Sequence, residues 1–224
     1  MSEFVVWCDF GGVISPNLGG SLHRVADSIG VTWPDIVAAA NQVAAPMGLS
    51  ALQPLELGMM SQDDWADGVM DELRAAGIEF TGTLRGFDVH WYAGRRLDEQ
   101  LLAALADLRD RGIPVGMLTN SVLEWEPHRH ALLGDDERFD AVLRSHEVQL
   151  AKPDLAVYAH AETLLGPADA TRILIDDLEV NVAAARAAGW LGIQHRDTAE
   201  TLRKLEDILE VSLVTEGSGR AAGR

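Results

Sequence analysis

The chain has 224 residues, 47% of them apolar, which is enough for one large core with room for an inserted unit. Its 35 acidic and 18 basic residues give a formal net charge of −17, a field that repels nucleic acid and excludes it as a partner. The single cysteine, Cys8, excludes an internal disulfide. No apolar run reaches the roughly 18 residues a membrane span needs, and no basic segment leads an apolar one as in a signal peptide, so the expected setting is cytoplasmic with no membrane partner.

Phe4-Val5-Val6-Trp7-Cys8 is a short apolar run that stops at Asp9, the pattern of a strand buried on both faces of a parallel sheet. Gly11-Gly12 and Pro16-Asn17 then break the chain. Residues 18–95 read as helical and irregular. Pro34 opens a helix to about Ala45, and Ser61-Gln62-Asp63-Asp64 has the form of a capping box. Trp65, Val69 and Leu73 follow on one helix face, and Gly77 ends that helix. Within that stretch no strand is expected until the chain passes Arg96.

Beyond Arg96 helices and strands alternate. Leu97, Leu101, Leu105 and Leu108 form an apolar stripe closed by Gly112. Residues 114–118 read as a buried strand and 139–143 as a weaker one. A helix is expected over 154–165, a strand over 172–175, a helix over 179–188, a strand over 190–194 and a helix over 198–209. The tail from 213 to 224 is rich in small and polar residues and is expected to be disordered. This alternation predicts an α/β fold with a doubly wound parallel sheet, whose ligand site lies beyond the C-terminal strand ends. The expected organisation is a core of 1–17 and 96–212 with a helical insertion at 18–95.

Polar residues stand at those strand ends: Asp9, then Thr119-Asn120-Ser121, then Lys152 before Pro153, then Asp176-Asp177. A parallel sheet gathers strand ends at one edge, so carboxylates, a hydroxyl, an amide and an ammonium can meet there. Trp7-Cys8-Asp9-Phe10-Gly11-Gly12-Val13, Leu118-Thr119-Asn120, Lys152-Pro153-Asp154 with Tyr158, and Ile175-Asp176-Asp177 with Asn181 and Gly189 resemble, in order, the four motifs of the haloacid dehalogenase superfamily. The resemblance covers about residues 4–196. It is nearest in flavour to the sugar-phosphatase branch and the N-terminal domain of soluble epoxide hydrolases. Leu57-Gly58-Met59-Met60-Ser61 is similar to a recurring segment of the family's helical cap.

The resemblance implies a Rossmann-like core and a Mg2+-dependent phosphatase acting on a small phosphate monoester, with sugar phosphates as the leading class. By that resemblance Asp9 is the nucleophile that forms an aspartyl-phosphate. Phe10, Gly11, Thr119, Asn120 and Lys152 bind the phosphoryl group. Asp9, the carbonyl of Gly11, Asp176 and Asp177 hold the metal. One departure matters: most phosphatases of the family carry a second Asp two positions after the nucleophile as acid/base, and here that position is Gly11. A metal-independent 2-haloacid dehalogenase and a catalytically degenerate binding or regulatory protein therefore remain as alternatives, and a homodimer stays open.

Several residues take bland readings. His128 and His130 do not share a helix face and are not read as metal ligands. Ser15 and Asn17 are read as solvated loop residues and Asn181 as structural. Cys8 reads as a small buried hydrophobe. Trp65, His90, Trp91 and Tyr92 are read as packing residues rather than pocket lining.

Overall fold

The computed structural model describes residues 3–16 and 18–213. Five parallel strands form one sheet: β1 (Phe4–Cys8), β2 (Val115–Thr119), β3 (Ala141–Arg144), β4 (Thr171–Asp176) and β5 (Leu191–Gln194), in the order β3-β2-β1-β4-β5. β1 is central, and Trp7 pairs in register with Gly116 on one side and Leu174 on the other. Side chains alternate across the sheet. Val6, Cys8, Val115, Met117, Ile173 and Ile175 enter one apolar cluster, whereas Val5, Trp7, Leu118 and Leu174 enter another on the opposite face. A Cβ on Gly116 would stand 2.5 Å from the Trp7 ring, so that glycine is what lets the indole lie flat against β2.

Helices cover both faces, as the doubly wound reading requires. α6 (Glu99–Asp110) and α11 (Thr198–Leu209) pack on the first face. α9 (Leu155–Leu164) and α10 (Glu179–Ala187) pack on the second. Shorter helices α7 (Glu126–Leu133) and α8 (Ser145–Val148) follow β2 and β3.

Between β1 and α6 run α1 (Leu18–Ile29), α2 (Trp33–Ala44), α3 (Gln53–Glu56), α4 (Gln62–Ala75) and α5 (Asp88–Tyr92), with no strand among them. They bury a core of their own around Trp65, Phe87, Val69 and Leu73, which Val122 and Trp125 extend from just after β2. Gln62 locks the two units: its N–H donates to Glu124, its amide donates to Asp88 at 2.7 Å, and it accepts from Trp125 Nε1 at 2.8 Å. No helix among the described residues is long and apolar enough to cross a membrane.

Three expectations need correction. Leu97 lies ahead of α6, whose N-cap is Asp98; Leu102 takes its place in the buried stripe. Leu213, assigned to a disordered tail, is buried in the core, with its N–H bonded to Glu206 at 2.8 Å. The rest of that tail, like Asn17, lies outside the described residues. Ser15 is fully buried rather than solvated, because its hydroxyl donates to the carbonyl of Arg96 and ties the start of the helical insertion to its end.

Candidate active site

The sheet brings Asp9, Thr119, Asn120, Lys152 and Asp177 to one cavity of about 190 Å³ at the C-terminal strand ends. Asp9 follows β1 directly. Its N–H bonds the carbonyl of Ile175, and its Oδ1 accepts from the Phe10 N–H at 2.7 Å. The first bond continues the pairing of β1 with β4, and the second fixes the carboxylate at its end.

Lys152 is the hub. Its Nζ donates to the Leu118 carbonyl at 2.9 Å and lies 3.0 Å from Asp9 Oδ1 and 2.6 Å from Asp176 Oδ2. Burial alone would lower the ammonium pKa, but Asp176 and Asp9 outweigh it and hold the lysine charged. The lysine is itself clamped. Asn120 Oδ1 accepts from the Lys152 N–H and Asn120 Nδ2 donates to the Lys152 carbonyl, each at 2.9 Å. The Lys152–Pro153 peptide is cis. The amide expected to hold the phosphoryl group is therefore spent on the lysine main chain. Thr119 remains beside it, almost wholly buried, with its hydroxyl 3.4 Å from the Asn120 carbonyl.

The acidic pair divides its roles. Asp176 is fully buried. Its Oδ1 accepts from the Leu178 N–H and from Asn181 Nδ2, each at 2.9 Å, and its Oδ2 takes Lys152. With those donors in place it is better fitted to orient Lys152 than to hold a cation alone. Asn181 is fixed in turn by Tyr158, whose hydroxyl donates to its carbonyl at 2.8 Å. Asp177 is less buried and lies over Gly12, where any Cβ would collide with its carboxylate. Oxygens of Asp9, Asp176 and Asp177 all lie within 4.8 Å of one another. Three carboxylates thus face one ammonium. Burial, opposed by Lys152 and reinforced by Asp176 and Asp177, pushes Asp9 up to about 7. Burial and then Asp176 push Asp177 upward as well. This hard-oxygen set with excess negative charge fits a hard divalent cation.

The opposite wall is apolar. Leu18, Leu52, Trp91, Tyr92 and Trp125 line it, and the Trp91 and Trp125 rings stack at 4.8 Å. Trp91 and Tyr92 therefore line the cavity as well as pack, whereas Trp65 is buried in the helical core and His90 is exposed. His128 bonds Asp88 at 2.6 Å and stacks on Tyr92. The burial that raises the Cys8 thiol makes it an inert core residue. Two lining residues carried no sequence signal: Arg95, which stacks its guanidinium over Phe10 and Tyr92, and Glu56, at the end of α3.

Comparison with known proteins decides the family: haloacid dehalogenase-like hydrolases match residues 22–189. The chain belongs to that family. As one of these hydrolases it is similar to a sesquiterpene phosphatase of Aspergillus oryzae, 24% identical over 80% of this chain and 90% of that protein. Its fold is that of a HAD family enzyme from Bacteroides thetaiotaomicron, solved with magnesium and inorganic phosphate (TM-score 0.58, 17% identity, 85% of this chain and 93% of that one). It is also that of the L-2-haloacid dehalogenase of Xanthobacter autotrophicus (TM-score 0.60, 16% identity, 96% of this chain and 85% of that one). An enzyme solved with magnesium and phosphate and a haloacid dehalogenase thus share this fold.

Proposed function

We propose that this hydrolase is a Mg2+-dependent phosphatase that cleaves a small phosphate monoester through an aspartyl-phosphate on Asp9. The observation that carries the reading is the convergence of Asp9, Asp176 and Asp177 within 4.8 Å beside a single buried lysine. A dianionic ester would be repelled by that cluster. Mg2+, held by Asp9, Asp177 and the carbonyl of Gly11 with Asp176 behind them, would supply the charge that lets an anionic phosphorus centre approach an anionic nucleophile.

The chain's own residues do the rest. Asp9 attacks phosphorus from a fixed rotamer. Lys152 offsets charge on the phosphoryl oxygens and the nucleophile. The Thr119 hydroxyl and the Gly11 N–H orient those oxygens, while the Phe10 N–H, expected among the phosphoryl ligands, holds the Asp9 carboxylate instead. The helical insertion at 18–95 serves as a cap that shields the reaction from water. The apolar wall of Leu18, Leu52, Trp91 and Tyr92 from the insertion and Trp125 from just after β2 favours an apolar or aromatic alcohol over a sugar, whose hydroxyls would find few free partners there. The likeness to a sesquiterpene phosphatase supports the same direction.

A halide displacement without metal would use the same nucleophile. It would leave the three-carboxylate cluster uncompensated against an anionic substrate, which weighs against it. Phosphate release from a panel of apolar and sugar monoesters tests the reading. Turnover is expected with Mg2+, none with a chelator, and none in Asp9→Asn; halide release from 2-haloacids that ignores a chelator would overturn it.

A further inference from the structure

Gly11 stands where most phosphatases of the family carry an acid/base carboxylate, so a proton carrier for the leaving alcohol has to come from elsewhere. The space beside Gly11 is bounded by a cation. A Cβ built on Gly11 would stand 4.0 Å from Arg95 Nη2 and 3.9 Å from Leu18 Cδ2. Arg95 is almost wholly buried, and its Nη2 donates to the Ser15 carbonyl. A guanidinium stays protonated at any working pH and cannot exchange a proton.

Three carboxyl groups line the cavity: Asp9, Asp177 and Glu56. Asp9 is committed to phosphorus, and Asp177 lies over Gly12 among the acidic cluster. Glu56 differs from both. It comes from the helical insertion, at the end of α3, and reaches the cavity beside the Asn120 loop. Its Oε2 accepts from Asn120 Nδ2 at 3.3 Å, the same amide that clamps Lys152. No cation forms an ion pair with it among the described residues. Lys152 is the charged group that acts on it, from across Asn120; Arg95 lies on the same cavity, as does Arg129, whose guanidinium is taken up by Glu126 and Asp136.

We infer that Glu56 is the acid/base of this enzyme, supplied from the insertion to the cavity it shares with Asp9, in place of the carboxylate absent at Gly11. The inference rests on the phosphatase reading above. In the first step an Asp9 oxygen bonds phosphorus, the ester P–O bond breaks, and the proton of Glu56 passes to the departing oxygen to give the free alcohol. In the second step the Glu56 carboxylate takes a proton from water as the water oxygen bonds phosphorus. The Asp9–phosphorus bond then breaks, inorganic phosphate leaves, and both carboxyl groups return to their starting states. Burial holds the Glu56 carboxyl above its ordinary range, which favours the protonated form the first step needs.

The test compares phenyl phosphate with 4-nitrophenyl phosphate, esters of similar shape whose leaving groups differ in their need for a proton. Glu56→Gln keeps an acceptor for Asn120 and removes the proton. With Mg2+ present, its first turnover on phenyl phosphate should fall by about 100-fold or more, the usual size of a lost acid. The 4-nitrophenol burst should stay within about 10-fold of the wild-type rate, because that leaving group departs without help. Glu56→Asp should recover part of the phenyl phosphate rate and supplies the same comparison if the glutamine variant does not fold. First turnovers slowed equally for both esters, or for neither, would overturn the inference and leave the phosphatase reading intact. Absence of phosphate release from either ester in the wild-type enzyme would overturn both.

Discussion

The two walls of the cavity are built on opposite principles. At the strand ends every charged group is held by others: Lys152 by Asp9, Asp176 and the Leu118 carbonyl, Asp176 by Asn181 and the Leu178 N–H, Lys152's main chain by Asn120. Across from them stand stacked rings and leucines, with Glu56 and Arg95 as the charged residues brought by the insertion and its return to the core. On the proposed phosphatase reading, the difference separates chemistry from selection. A buried polar network in a low dielectric tolerates almost no positional error, whereas an apolar wall can accept any alcohol of suitable size.

Changes to the polar wall should cost the most. Asp9→Asn should reduce phosphate release by about 10,000-fold or more, the scale seen when a nucleophile is removed, while the protein still unfolds cooperatively. Lys152→Ala should abolish measurable turnover and also lower stability, by about 3–5 kcal/mol, because it strands buried carboxylates without their cation; denaturant midpoints would show this. Asn120→Ala leaves Lys152 charged but removes the two hydrogen bonds to its main chain, so a loss of about 100-fold in kcat is expected from misplacement, with KM less affected.

On the apolar wall the effect should be smaller and of another kind. Trp125→Ala should raise KM for an aryl phosphate by about 10-fold, the value of roughly 1.4 kcal/mol of lost apolar contact, and change kcat little. An equal drop in kcat for Trp125→Ala and Asn120→Ala would erase the distinction between the walls.

The acidic cluster also predicts a pH dependence in the metal-free protein. Asp9 is raised from the ordinary carboxylate value to about 7. Folding therefore retains a proton that the unfolded chain has released, and stability falls as pH rises from about 4 to about 7. Added Mg2+ should offset that loss, so the Tm gain on adding Mg2+ should grow over the same interval and flatten above it. A gain independent of pH would place the cation elsewhere.

The polar wall was legible in the sequence because its carboxylates and Thr119 end or follow strands and Lys152 stands in the connection after β3. Apolar runs that halt at Asp9, Thr119 and Asp176 mark a sheet edge, and a parallel sheet has only one such edge on which to gather them. What was not legible depends on contacts across long stretches of chain. Ser15 reads as loop polarity until the Arg96 carbonyl is found against it. Asn120 looks like a phosphate ligand until the loop carrying Lys152 folds back onto it. Arg95 and Glu56 have no neighbouring motif at all; only the return of the insertion onto the core brings them to the cavity. Leu213 sits at the start of a polar tail, yet the apolar surface beyond α11 still has room for one more leucine.

Mass spectrometry of the enzyme quenched in acid during turnover of an aryl phosphate with Mg2+ tests the central claim most directly. The account predicts one added phosphoryl group on the peptide that contains Asp9, absent in Asp9→Asn. Turnover with no such adduct, or an adduct carried by another residue, would contradict it.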